Sequence, residues 1–444
     1  MADIMSSFPD SILCYILSFL PTKDVVATSV LSKRWKLLWL SVTSMDFDHH
    51  DRMDFDKDAC SRFLVPVYSF LLWRDMDQPL HRLRLRCCSF YNHYRVQTWI
   101  KAAMRRSGKL KHLDLNLDLF LAVPSVVFSC KTLVVLKLSH LMLSNISFVH
   151  LPLLKILHLN SVILTKCDDL LQHFLSGSPN LEDFLHSSIV VPSLVFSCKT
   201  LVVLKLANLL LKNIFFVDLP LLKILHLNSV SFSRDLDLLQ QFLSVSPNLE
   251  NLEVKNFNAN AAEKFNRFSR LVRANIDAHL VPLENVKNVQ VLVTDRICPK
   301  DLVFDLQNLV QLELTHVRLS KQWFEVLEVL QHCPKLQTLA IGIYEVNYYL
   351  LSEGHEGAVL PYPQPVPTCI SLHLKTCVLN NYKGSGDELL FAKYILQNAK
   401  FLHIMKFFIN IDTYETFWMN DRIRRDLFSC VKSSDTCELF FFMS

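Results

Sequence analysis

"VPSVVFSCKTLVVLKLSHLMLSNISFVHLPLLKILHLNSV" fills residues 123 to 162, and "VPSLVFSCKTLVVLKLANLLLKNIFFVDLPLLKILHLNSV" fills residues 191 to 230. The offset is 68 residues, Val123 to Val191, and it runs on without a gap to "SPNLEDF" at Ser178 and "SPNLENL" at Ser246. One block, 123–190, has therefore been copied whole into 191–258. A fold that accepts such a copy must be able to lengthen. Linear stacks of small units do so because each unit contacts only its neighbours, whereas closed globules rarely can.

Within the block lies a shorter unit, LxxLxL: Leu133, Leu136 and Leu138, then Leu154, Leu157 and Leu159. It recurs from Leu201, Leu222 and Leu249, and in degenerate form from Leu80, Leu110, Leu181, Leu271, Leu309 and Leu336, mostly about 20 to 30 residues apart. This is leucine-rich-repeat spacing. The LxL residues alternate on a short strand and face one way into a core, while the residues between them face out. The longer spacings hold helical patterns. "SRDLDLLQQFLSVSPNLENL" sets Leu236, Leu239 and Leu243 on one face, with Ser233 as a cap and acids in the first turn, and "SKQWFEVLEVLQHCPKLQTL" has the same plan. The expected α/β architecture is a solenoid with parallel strands on its concave face and helices outside. Three residues past each LxL stands an apolar residue, as at Leu141, Val162, Val230 and Phe257, where many such repeats carry asparagine.

Composition agrees with a large folded chain. Of 444 residues, 51% are apolar and 20% charged, and only 7 are glycine, which argues against phosphate-cradling loops. The net charge of +4 is small and the 46 basic residues are spread along the chain, so no nucleic-acid partner is implied. The 13 cysteines are odd in number, form no CxxC, and include the tandem Cys87 and Cys88, which cannot easily aim two thiolates at one zinc. No metal or other cofactor is expected. "MADIMSSFPD" lacks the basic start and cleavage site of a secretory signal, and no apolar run reaches the roughly 18 residues of a membrane span. A reducing cytoplasmic or nuclear compartment is expected, with no membrane partner.

The N-terminal stretch "SFPDSILCYILSFLPTKDVVATSVLSKRWKLLW", residues 7 to 39, is too short to bury its own apolar side chains. Pro9 and Asp10 suit the first turn of a helix. Ile12, Leu13, Ile16, Leu17 and Leu20 make an apolar face, Pro21 ends the helix, and Thr22 caps a second one. Val25, Val26, Leu31, Trp35, Leu38 and Trp39 add a second apolar surface. The stretch resembles the F-box, with Phe8 where the usual pattern has leucine and Leu31 where it has valine. The resemblance implies a three-helix domain docked on a Skp-type adaptor and, through it, a cullin. Pro9, Ile12, Leu13, Ile16, Leu17, Leu20, Val25, Leu31, Trp35 and Trp39 would then face the adaptor or fill the F-box core. A helical cap over the first repeat is the plainer alternative.

Past the proline-rich "EGAVLPYPQPVP", the segment "VPTCISLHLKTCVLNNYKGSGDELLFAKYILQNAKFLHIMKFFI" and the terminal "SSDTCELFF" resemble the FBD domain that ends many plant F-box repeat proteins. "CISLHL", "MKFFI" and "CELFFF" read as further strands, with a helix after Asp387. The last of them is expected to pair with its predecessor and seal the end of the solenoid, its phenylalanines shared between the core and a closing helix. The expected boundaries are 1–45 for the F-box, 46–79 for the entry to the repeats, 80–345 for the repeats, 346–367 for the connector and 368–444 for the FBD domain.

No catalytic constellation emerges. Gly384, Ser385 and Gly386 lack a following GK[ST] and suit a turn before a helix. His158 and His226 fall at duplicate positions, expected on neighbouring strands, and copying explains them. Asp168, Asp169 and His173 have no nucleophile beside them. Arg82, Arg84 and Arg86 share one strand face and, with Lys109 and Lys111 near, could hold an anion such as an inositol phosphate, as in plant hormone receptors that this architecture resembles. Solubility of a first strand explains them more simply. Lys137, Lys205, Glu253 and Glu313 are further candidates for reading a target. The expected function is that of a non-catalytic substrate-recognition subunit in a Skp-cullin-F-box ubiquitin ligase, holding an as yet unspecified target protein. The alternative is a repeat scaffold or ligand sensor working outside a ligase.

Overall fold

The computed structural model describes residues 7–48, 67, 78–86, 93–107, 109–117, 123–143, 146, 148–164, 167–187, 191, 193–211, 216–232, 238–256, 268–344, 365–409 and 424–443. Cys87, Cys88, Ser233, Leu236, Phe257 and most of the proline-rich passage lie outside these residues. The chain forms two compact units, Met1–Asp235 and Leu236–Ser444.

The first unit opens with α1 (Asp10–Leu17), α2 (Thr22–Ala27) and α3 (Trp35–Leu38). Pro9 and Pro21 hold the N-cap positions of α1 and α2, so Thr22 is the first residue inside α2 and does not cap it. Its buried hydroxyl is used elsewhere: it accepts the backbone N–H of Asp46 at 2.8 Å and donates to Met45 Sδ at 3.7 Å, which ties α2 to the first strand.

There follow β1 (Ser44–Asp48), β2 (Arg82–Arg86), α4 (His93–Ser107), β3 (His112–Asn116), β4 (Val135–Ser139), β5 (Met142–Leu143), β6 (Ile156–Asn160), β7 (Ile163–Leu164), α5 (Cys167–Gly177), β8 (Asp183–Ser187), β9 (Val203–Leu211) and β10 (Ile224–Phe232). The strands pair in parallel in the order β1-β2-β3-β4-β6-β8-β9-β10, and β5 pairs with β7. The register places leucines beside leucines. Leu113, Leu136, Leu157, Phe184, Leu204 and Leu225 form one row, and Leu115, Leu138, Leu159, His186, Leu206 and Leu227 the next. All are buried. Each leucine so enclosed contributes about 1.5 to 3 kcal/mol relative to exposure.

The duplication is reproduced element by element. β4 with β5 returns as the single strand β9, β6 with β7 returns as β10, and a 3₁₀ turn at Ser125–Ser129 returns at Ser193–Ser197. In the shared "SCKTL", Thr132 donates to Leu110 O at 2.8 Å and Thr200 to Leu181 O at 2.7 Å. Each threonine thus latches its repeat onto the first leucine of the one before.

A left-handed residue stands two positions after the second LxL apolar residue: His140, Ser161, Asn208, Ser229, Asn256 and Asn381, with φ from 50° to 57°. In this conformation the chain turns its next side chain inward, and Leu141, Val162, Leu209, Val230 and Tyr382 are all buried. Short polar residues tolerate the left-handed region far better than branched ones. The apolar residue that replaces the usual asparagine is therefore part of the core.

The second unit contains α6 (Leu238–Ser244), β11 (Asn251–Lys255), β12 (Arg273–Ile276), β13 (Val291–Thr294), β14 (Gln311–Val317), α7 (Leu319–Gln331), β15 (Thr338–Ile343), α8 (Thr368–Leu372), β16 (Thr376–Tyr382), α9 (Gly386–Asn398), β17 (Ile404–Ile409) and β18 (Glu438–Met443). Its strands also pair in parallel in sequence order. The flanking helices interlock through Trp323 of α7, whose ring meets Phe391 and Tyr394 of α9 edge-on at 6.3 and 5.9 Å.

Two expectations fail here. "CISLHL" is not a strand: Pro367 caps α8, and the strand is the following "TCVLNNY", β16. Proline fixes the backbone for a first helical turn and overrides the short alternation. β18 does pair with β17, but it does not seal the end. Phe440 and Phe442 are 38% and 41% exposed. They stand on the face that the helices leave uncovered, where Phe442 stacks on Phe408 at 4.8 Å, while Phe441 stacks on Phe407 at 5.0 Å.

Candidate functional site

Two surfaces of the first unit carry most of the candidate residues. In the N-terminal helices, Leu13, Leu17, Val25, Trp35, Leu38 and Val42 pack into one small core, with Cys14 and Trp39 against it. Arg34 closes the cluster: it forms an ion pair with Asp10 at 2.6 Å and donates to the carbonyl of Phe8, so the segment before α3 is clamped onto the start of α1. Of the expected residues, Leu13, Leu17, Val25 and Trp35 are thus internal, and Trp39 is half-buried at the rim. Pro9, Ile12, Ile16, Leu20 and Leu31 are exposed.

More apolar side chains stand on that surface than sequence reasoning found. Phe8, Tyr15, Phe19, Val30 and Leu37 are also exposed, Phe19 at 71%. Ile12, Tyr15, Ile16 and Phe19 follow the i, i+3, i+4, i+7 spacing of one helix face, and Tyr15 meets Phe19 edge-on at 5.0 Å. The signal was in the sequence as a second apolar stripe, beside the one that fills the core.

The other surface is the open face of the parallel strands, opposite the leucine rows. Arg84 lies between two carboxylates, 3.1 Å from Asp46 and 3.7 Å from Asp114, and Arg86 faces Asp48 at 3.4 Å. Arg82 is exposed, in register with Ser44 and His112. Burial lowers the pKa of His112 below that of an ordinary imidazole, and Arg82, Lys111, Lys137 and His81 lower it further. Lys137 is in register with Asp114 and His158, and Lys205 with Leu185 and His226. His158 pairs with Asp183 at 3.1 Å. His158 and His226 are not on neighbouring strands, because β8 and β9 lie between β6 and β10. The long α5 crossover and the first repeat of the second copy intervene.

In the second unit Glu253 lies beside Asn275, and Glu313 between Val293 and Ala340, with β12 and β13 separating the two glutamates. The turn at Gly384 is occupied internally: its amides bond Glu388, one turn into α9. His173 lies on α5, and the side chains of Asp168 and Asp169 fall outside the described residues. Among the described residues no cluster of three metal-ligating side chains occurs, and no helix is long and apolar enough to cross a membrane.

Three family models match the chain: the F-box domain over residues 5–46, the LRR repeats of the FBD-associated F-box protein At5g56370 over 96–229, and FBD over 362–407. Among curated proteins it is similar to the F-box/FBD/LRR-repeat protein At2g04230 of Arabidopsis thaliana, at 30% identity, covering 99% of this chain and 97% of the relative. The F-box/FBD/LRR-repeat proteins At4g26340 and At5g56420 of the same plant are each 28% identical. The former match covers 91% of this chain and 92% of the relative, the latter 99% of each.

Proposed function

Because the chain belongs to the plant F-box/FBD/LRR-repeat family, we propose that it is the substrate-recognition adaptor of a Skp-cullin-F-box ubiquitin ligase. The N-terminal helices dock on a Skp-type adaptor and so reach a cullin. The repeats form a solenoid whose open strand face holds the target protein. The protein performs no chemistry. It raises the effective concentration of a target lysine near a ubiquitin-conjugating enzyme.

The observation that carries this reading is the division of labour within the helices. Leu13, Leu17, Val25 and Trp35 already close the small core, so Ile12, Ile16, Leu20 and Leu31 are left outside it with Tyr15 and Phe19. Contiguous exposed apolar side chains of this kind mark interaction sites. Pro9, Ile12, Ile16, Leu20 and Leu31 are assigned to the adaptor, and the inward residues to the fold.

The test is co-purification of the full chain with a Skp-type adaptor. Replacing Ile12 and Ile16 together by aspartate should abolish it while leaving the melting temperature of the chain unchanged. Retention of the adaptor by this variant overturns the assignment. A chain that never captures adaptor or cullin is instead a scaffold or sensor outside a ligase.

A further inference from the structure

The copying that lengthened the first unit also doubled a cation. Lys137 and Lys205 are the same residue of the two copies, and both are half-buried on the open face. Neither has an ion pair among the described residues. The acids nearest in register are already engaged, Asp114 by Arg84 and Asp183 by His158. The stripe that runs across β4, β6, β8 and β9 therefore reads Lys137, His158, Leu185, Lys205, with His226 next on β10. Two residues back along the same strands runs an apolar stripe, Val135, Ile156, Val203 and Ile224, broken by Asp183.

The spacing of the cations follows from the topology. β4 and β9 are separated by β6 and β8, and three strand spacings set the lysines about 14 Å apart. A chain laid across the strands in extended form rises about 3.3 Å per residue, so four residues span that gap, and side chains at i and i+4 point the same way. Side chains at i+1 and i+3 point the other way, away from the strands.

We propose that this face binds an extended, acidic segment of a target protein, with one carboxylate on Lys137 and a second, four residues on, on Lys205. The proposal rests on the target-recognition role given above for the open face, but it does not need the helices to be engaged.

The probe is a fluorescein-labelled peptide with the core Glu-Val-Ser-Val-Glu, titrated with the full chain in complex with a Skp-type adaptor, or with the chain alone if no complex forms, and followed by anisotropy. Lys137→Gln and Lys205→Gln should each weaken binding by about tenfold, as expected for a charge-assisted contact, and the loss should shrink as salt is raised. The core Gln-Val-Ser-Val-Gln and the shortened Glu-Val-Ser-Glu should bind at least as poorly as the lysine variants do to the parent peptide. Equal binding of the two glutamate cores, unchanged binding by either lysine variant, or no binding of the parent peptide at all overturns the proposal. Adaptor capture is measured on the same samples. Peptide binding without adaptor capture upholds the site and removes the ligase reading, and the reverse outcome removes the site alone.

Discussion

Glu388 Oε2 accepts the backbone N–H groups of both Lys383 and Gly384, each at 2.8 Å, and the glutamate is 1% exposed. One carboxylate thus closes the turn between β16 and α9, where Gly384 takes a φ of 73°. Glu388→Ala would leave two amides without their acceptor in a buried site and should destabilise the second unit by about 1.5 to 3 kcal/mol. Glu388→Gln, which keeps an acceptor but loses the charge, should fall between. Urea unfolding of the three proteins checks the order.

Neighbours in α1 should behave oppositely. Leu17→Ala empties a core position and should cost about 2 to 5 kcal/mol of helical-cluster stability. Ile16→Ala should change stability by less than about 0.5 kcal/mol, as is usual for a surface site. Thermal unfolding of the full chain separates them, and equal effects would contradict the inward and outward assignment.

This pair also marks the limit of what the sequence could reveal. The LxxLxL leucines were legible because buried and outward positions alternate between leucine and polar residues, a contrast that recurs in every repeat. In α1 both sides of the helix are apolar, so a 3.6-residue period offers no contrast to tell Leu13 and Leu17 from Ile12 and Ile16. The engagement of Arg84 and Arg86 was hidden for another reason: Asp46 and Asp48 lie on β1, and only the pairing of β1 with β2 brings them alongside. The left-handed exits at Asn208, Asn256 and Asn381 left a faint trace in the choice of asparagine.

His112 should make stability pH-dependent on the acid side. Its pKa is lowered in the fold from 6.5, so the unfolded chain takes up the proton first, and stability falls as pH drops below the unfolded value until the folded form is protonated as well. His112→Gln should flatten this part of the curve. The check is the melting temperature of both proteins between about pH 8 and pH 5, and parallel curves would exclude a role for this imidazole.

The thiols should divide by burial. Burial raises the Cys333 thiol and pushes Cys369 and Cys377 up to about 12, whereas Cys298 is exposed. Among the described cysteines, iodoacetamide should label Cys298 first in the native chain and reach Cys333, Cys369 and Cys377 only in denaturant. Site-resolved mass spectrometry would expose any exception.

Removing residues 123–190 should leave a shorter, soluble, cooperatively unfolding chain. The deletion brings β9 to the place of β4, and its "SCKTL" meets Leu110 as Thr132 does now. Loss of all folded protein would argue against stacked repeats. Circular dichroism and a melting curve suffice to decide.

In the first unit each strand of the main sheet is bonded only to the strands of the adjoining repeats. Held by its two ends and pulled, such a ladder has no central clasp that bears the whole load. Strands would peel away singly, and the step from β4 to β6, Val135 to Ile156, would release 21 residues, or about 70 Å of slack. A protein built this way is stiff across its strands and weak along the chain, so a machine that threads polypeptides from one end would meet a series of small barriers in place of one large one.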